Sequence, residues 1–186
     1  MLTGRALTAC LALLLAVALA AGCGGKSKSS SSSSTSSSTP AATSTSTSAA
    51  KPGKVTRAQG EKNLGSKPPI GKPTGSPPTT LQKRDIVKGT GKAAKAGQNV
   101  TVQYVGIAWS NRKQFDASWD RHQPFKFQLG AGMVIPGWDE GVVGMKVGGR
   151  RQLVIPPDMA YGPQGQPPAI GPNETLVFDI DLLKVK

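Results

Sequence analysis

The sequence predicts an α+β domain in its C-terminal part, an antiparallel sheet with one short helix laid on it, preceded by a long disordered linker. Three observations carry this. All nine aromatic residues of the 186-residue chain lie between Tyr104 and Phe178, and aromatic side chains bring the largest apolar payload to a core. Stretches after Leu81 alternate apolar and polar side chains with the period of two of half-buried strands. One segment alone, around Trp138, carries helical spacing. The folding unit is therefore expected at 81–186, long enough for a single hydrophobic core.

The chain begins as an export signal. Arg5 gives a short positive start, and Leu7 to Ala21 is an apolar run rich in Leu and Ala, short for a spanning helix. Leu19–Ala20–Ala21–Gly22–Cys23 follows and resembles the lipobox of bacterial lipoprotein signals. That resemblance implies a signal peptide over 1–22 and lipidation of Cys23, with palmitate among the expected chains. Ala20 stands where the motif usually has Leu. Cleavage after Ala18–Leu19–Ala20, which would release a soluble protein, stays open beside it.

Residues 23–80 read as a disordered linker. Residues 26–50 are almost all Ser, Thr and Ala, and 51–80 add Pro and Gly. Neither can bury enough apolar surface to offset chain entropy. Residues 24–80 hold eight Lys/Arg and one acid, Glu61, within a chain of net charge +13. Without interleaved aromatics or a helical pattern this charge reads as a solvated spacer and not as a nucleic-acid surface.

From Leu81 the pattern changes. Leu81 to Lys88 reads as a first strand, and Lys88–Gly89–Thr90–Gly91–Lys92 as a turn. Val100, Val102 and Tyr104 alternate with Thr101 and Gln103; Phe125, Phe127 and Leu129 alternate with Lys126 and Gln128. Gln152 to Ile155 and Thr175 to Leu183 complete the sheet. Between them Pro136 suits a first helical position, and Trp138, Val142 and Met145 share one apolar face. Pro156 to Pro172 is too rich in Pro and Gly for a sheet centre and reads as a long loop. Cys10 and Cys23 are the two cysteines and His122 the one histidine. No disulfide framework, Cys site or His cluster can therefore form in the domain, and no metal or other cofactor is expected.

Six segments in order carry a resemblance: Tyr104–Val105–Gly106, Phe115–Asp116, Pro124–Phe125–Lys126–Phe127, Val134–Ile135–Pro136–Gly137–Trp138, Ala160–Tyr161–Gly162 and Thr175–Leu176–Val177–Phe178. In sequence and spacing they resemble the FKBP-type peptidyl-prolyl cis-trans isomerases, over 81–186. The resemblance implies a twisted antiparallel sheet wrapped over one short helix, with an apolar pocket for an X-Pro peptide bond. Carried over residue by residue, it makes Trp138 the pocket floor and Tyr104, Phe125, Val134, Ile135 and Phe178 the walls. Phe115, Asp116, Tyr161 and Ile170 become rim and polar contacts. Of the two alternating phenylalanines, Phe125 is assigned to the site and Phe127 to the core, and Asp116 is expected to pair with Arg121. The sequence departs from many relatives at Gln166, where His is frequent, at Ala169, where a bulkier aliphatic is common, and at Met159, a frequent Tyr.

The function expected is that of a rotamase acting on proline-containing polypeptides outside the cytoplasmic membrane, lipid-anchored and monomeric, with macrolide inhibitors as further ligands. The alternative is a proline-peptide or macrolide binding module, or a chaperone at the cell surface, in which turnover is incidental.

Overall fold

The computed structural model describes residues 53–186. The expected signal sequence, the lipidated Cys23 and the Ser/Thr tract lie outside them. All the described residues belong to one compact unit.

Eight strands and one α-helix make up the described chain: β1 Lys54–Val55, β2 Pro73–Thr74, β3 Gln82–Val87, β4 Asn99–Ala108, β5 Gln114–Ala117, β6 Phe125–Gln128, α1 Pro136–Gly141, β7 Gly149–Ile155 and β8 Leu176–Val185. β3, β7, β8, β4 and β5 pair in that order, all antiparallel. β4 and β8 are equally long, and the second edge of β4 is divided. β6 pairs with Asn99–Val102 and β5 with Val105–Ile107. At the gap, the Tyr104 N–H donates to Ser118 Oγ at 2.8 Å and the Ser118 N–H returns to the Tyr104 carbonyl at 3.1 Å.

Alternation decides what each face buries. Val100, Val102 and Tyr104 on β4, Leu153 and Ile155 on β7, and Leu176, Phe178, Ile180 and Leu182 on β8 point to one face and form the main core with Trp138, Val142 and Met145. The helix is only six residues long, starts on Pro136 and ends as the Val142 N–H bonds the Trp138 carbonyl. Burial of its apolar face holds it, since so short a helix has little stability of its own. Gly137 lets it lie against the sheet: a Cβ there would sit 2.4 Å from Ile155 Cγ2.

The other face corrects the expected linker boundary. Residues 53–80, read as disordered from composition, form an ordered arm across the outer side of the sheet. β1 and β2 pair as a two-stranded ribbon. Val55 and Ile70 pack on Ile107, Trp109, Val154 and Val177. Farther along the same face Arg150 is fully buried, paired through two nitrogens with Asp181, and donates to the Glu61 carbonyl at 2.7 Å and the Ser66 carbonyl at 3.3 Å. Arg84 donates to Glu61 Oε2 and Gln152 Oε1, both at 3.2 Å. The arm is held by supplying acceptors to Arg150, which the sheet buries, and to the half-buried Arg84, which a count of its apolar residues misses.

Candidate active site

One pocket of about 200 Å³ opens on the core side of the sheet, lined by Tyr104, Phe115, Asp116, Phe125, Met133, Val134, Ile135, Trp138, Tyr161 and Phe178. Nine of the ten residues expected in the site come together here. The tenth, Ile170, is expected at the rim and instead lies 3% exposed in the main core, outside the pocket lining. The cause is local. Ile170 and Gln166 exchange backbone hydrogen bonds at 2.9 Å, closing a narrow turn that drives the Ile170 side chain inward.

The walls come from four elements. Tyr104 stands on β4 at the gap between β5 and β6, Phe115 and Asp116 on β5, Phe125 on β6 and Phe178 on β8. Trp138 rises from α1 and is 4% exposed. Its ring meets Tyr104 at 5.0 Å and Phe178 at 5.2 Å between centroids, both edge-on, the geometry that aromatic quadrupoles favour. Phe115 also meets Phe178 edge-on, at 5.4 Å. Gly106 makes room for this pair, since a Cβ there would fall 2.7 Å from both rings. Phe127 is buried beneath Phe125, which is 37% exposed at the mouth, as expected from the sequence.

Polar groups are few and fixed. Asp116 accepts from the Tyr104 hydroxyl and from Arg121, the pair expected from sequence. Arg121 also donates to the Tyr104 hydroxyl at 2.8 Å. Burial, then the bond to Asp116, pushes the Tyr104 hydroxyl up to about 12, so it stays a proton donor. Burial also raises the Tyr161 hydroxyl above the ordinary tyrosine value, with Asp116 adding to the effect. Neither the Tyr161 hydroxyl nor the Ile135 N–H makes a hydrogen bond among the described residues, and both residues line the pocket. Two free donors thus flank an apolar cavity, with Ser110 and Ser118 the nearest serines in the domain and neither in its lining.

Sequence reasoning missed Met133 and Asp139. Met133 is 64% exposed beside Val134 at the mouth. Asp139, in the first turn of α1, accepts from the Gly130 N–H at 2.8 Å and the Gly132 N–H at 2.9 Å, pinning the loop that carries Met133. An acid in the first turn of the helix, seven to nine residues after Gly130 and Gly132, was the signal available for it.

The profile of the FKBP-type peptidyl-prolyl cis-trans isomerase family matches residues 90–183. The chain belongs to this family. An FK506-binding protein of Streptomyces anulatus is 55% identical over 120 residues, 64% of this chain and 97% of that one. A Drosophila melanogaster protein named peptidyl-prolyl cis-trans isomerase Fkbp12 is 54% identical over 92 residues, half of this chain and 84% of its own length. Among solved structures, AtFKBP13 superposes with a TM-score of 0.55 at 38% identity, over 59% of this chain and 95% of that one. The FKBP domain here is thus a peptidyl-prolyl isomerase domain, and the arm from Gly53 to Thr80 lies ahead of the family match.

Proposed function

We propose that this FKBP domain isomerises X-Pro bonds in proteins folding outside the cytoplasmic membrane, without covalent chemistry, held there by lipid on Cys23. The observation that carries the chemical part is the pocket: aromatic on its floor and walls, with two unpartnered donors at its edge.

Amide resonance sets a barrier of about 18–20 kcal/mol to rotation about a peptide bond. No bond need break to cross it, so no nucleophile is required. The planar imide is more polar than the twisted transition state, which has lost resonance. A pocket that strips water from the bond disfavours the planar form more and so lowers the barrier. In this reading the proline ring lies over Trp138. The Ile135 N–H and the Tyr161 hydroxyl hold substrate carbonyls, each bond worth about 1 kcal/mol net. The Asp116–Arg121 pair holds Tyr104 in place as a wall. A macrolide of the kind named for its relatives would occupy the same pocket as a competitor.

Export and anchoring rest on the sequence of 1–23 and on the Ser/Thr-rich stretch after it, which as a flexible coil would let a monomeric domain range from its anchor by roughly 30 Å for the 29 residues ahead of the arm. The deciding experiment follows cis-trans exchange of a short X-Pro peptide with the full-length protein, Tyr161→Phe and Trp138→Leu. Acceleration by the wild type, lowered about fivefold in Tyr161→Phe and largely lost in Trp138→Leu, is expected. Binding of the peptide without acceleration would replace the enzyme by a proline-peptide binding module. Cys23→Ala is expected to move the protein out of the membrane fraction, and retention there would remove the lipid anchor.

A further inference from the structure

A second recess adjoins the pocket. It has a volume of about 420 Å³ and is lined by Thr101, Arg121, Gln123, Pro124, Phe125 and Lys126. Phe125 lines both, and Arg121 in the recess bonds Asp116 and Tyr104 of the pocket, so the two meet at the β6 edge, with Phe125 on the pocket face of the strand and Lys126 on the opposite one. The recess contains no acid. Arg121 enters it from the loop after β5 while its guanidinium tips are held by Asp116 and Tyr104. Lys126 is exposed and makes no ion pair or hydrogen bond among the described residues. Thr101 is opposed by Lys126 on one side and by Lys184 on the other. Directly opposed residues of antiparallel strands point to the same face. Two free ammonium groups therefore flank one threonine, with no carboxylate between them.

We infer that this recess is a subsite for an acidic side chain of the substrate polypeptide, with Lys126 as the residue that selects it. The inference rests on the isomerase reading of the adjoining pocket. A chain with its proline on Trp138 has to leave over the rim, and the Phe125 edge leads into the recess. An extended chain advances about 3.3 Å per residue, so a residue two or three places from the proline reaches it. An Asp or Glu there meets Lys126, with Lys184 across Thr101 adding to the positive field, whereas a Lys adds another like charge. The pair is solvent-exposed, so the effect is modest and falls with salt.

The test uses full-length protein and peptides that keep one X-Pro core and carry Glu, Gln or Lys two or three residues to either side. Wild type is expected to favour the Glu peptide over the Lys peptide by about threefold in kcat/KM at low salt in one of these positions, with the preference gone at high salt. Lys126→Glu reverses the preference and Lys126→Gln abolishes it, while turnover of the Gln peptide is unchanged. An equal Glu-to-Lys ratio in wild type and Lys126→Glu overturns the proposal. So does an unchanged ratio combined with weaker binding of Lys126→Glu to phosphatidylglycerol vesicles, which would make this a membrane-facing patch. If the Gln peptide is bound but not turned over, the isomerase reading fails, and the affinity ratio of the Glu and Lys peptides still decides the subsite.

Discussion

Asp179 stands on β8 under the arm, and replacing it with Asn isolates the cost of a buried acid. Its Oδ1 accepts from Gln152 Nε2 at 2.9 Å, and its Oδ2 has no partner among the described residues. Burial pushes this carboxyl up to about 7, against the opposing pull of Gln152, Arg150 and Arg84. An unfolded Asp titrates near 3.9. Between about pH 4 and pH 7 the folded chain therefore holds a proton that the unfolded chain has released. Stability falls as pH rises through that window and is flat above it. At about 1.4 kcal/mol for each pH step, the three steps amount to about 4 kcal/mol. Asn keeps the shape and the bond from Gln152 and cannot ionise. Urea unfolding of full-length wild type and Asp179→Asn, from pH 4.5 to pH 8, is expected to show equal stabilities at the acid end and an advantage to the variant approaching 4 kcal/mol at pH 8. A gap that stays constant across pH 5–8, or a variant less stable at pH 8, would refute the reasoning.

Two further outcomes follow from contacts already described. A fragment of residues 81–186 is expected to be less stable than 53–186 by about 3–5 kcal/mol in urea, because Arg150 loses the Glu61 and Ser66 carbonyls and Val55 and Ile70 leave Trp109 bare; equal midpoints would show the arm to be dispensable. Arg121→Gln is expected to lower kcat/KM for a neutral peptide about five- to tenfold with little loss of stability, since it frees Tyr104 and Asp116 without opening the core. Unchanged turnover would count against the role of that triangle.

The sheet and helix were legible where burial imposes a period. Tyr104, Phe125 and Trp138 announced their elements because each sits on a face that packs. β5 was not legible, since Gln114–Ala117 is four residues long and only Phe115 among them is large and apolar. The arm was hidden for a different reason. Its attachment runs through main-chain carbonyls, which every sequence possesses, and the informative residues lie elsewhere, at Arg150, Gln152, Asp179 and Asp181. Polar side chains at the outward positions of two central strands are a sign that something must cover them. The resemblance placed nine pocket residues together, but a backbone turn decided Ile170. Met133 escaped because an exposed methionine in a glycine-rich loop carries no period at all.

The rings that line the pocket are also the rings that fill the core. Trp138, Tyr104 and Phe178 touch the cavity with one side and Leu, Ile and Phe127 with the other. A substitution that reshapes the floor therefore also removes cohesion from the protein, and its carrier is punished twice. The tolerant positions are the exposed ones outside that core, such as Met133 at the mouth, Lys126, Gln166 and Ala169. Diversification toward new client proteins has room only at that border, and the chemistry beneath it is inherited nearly intact.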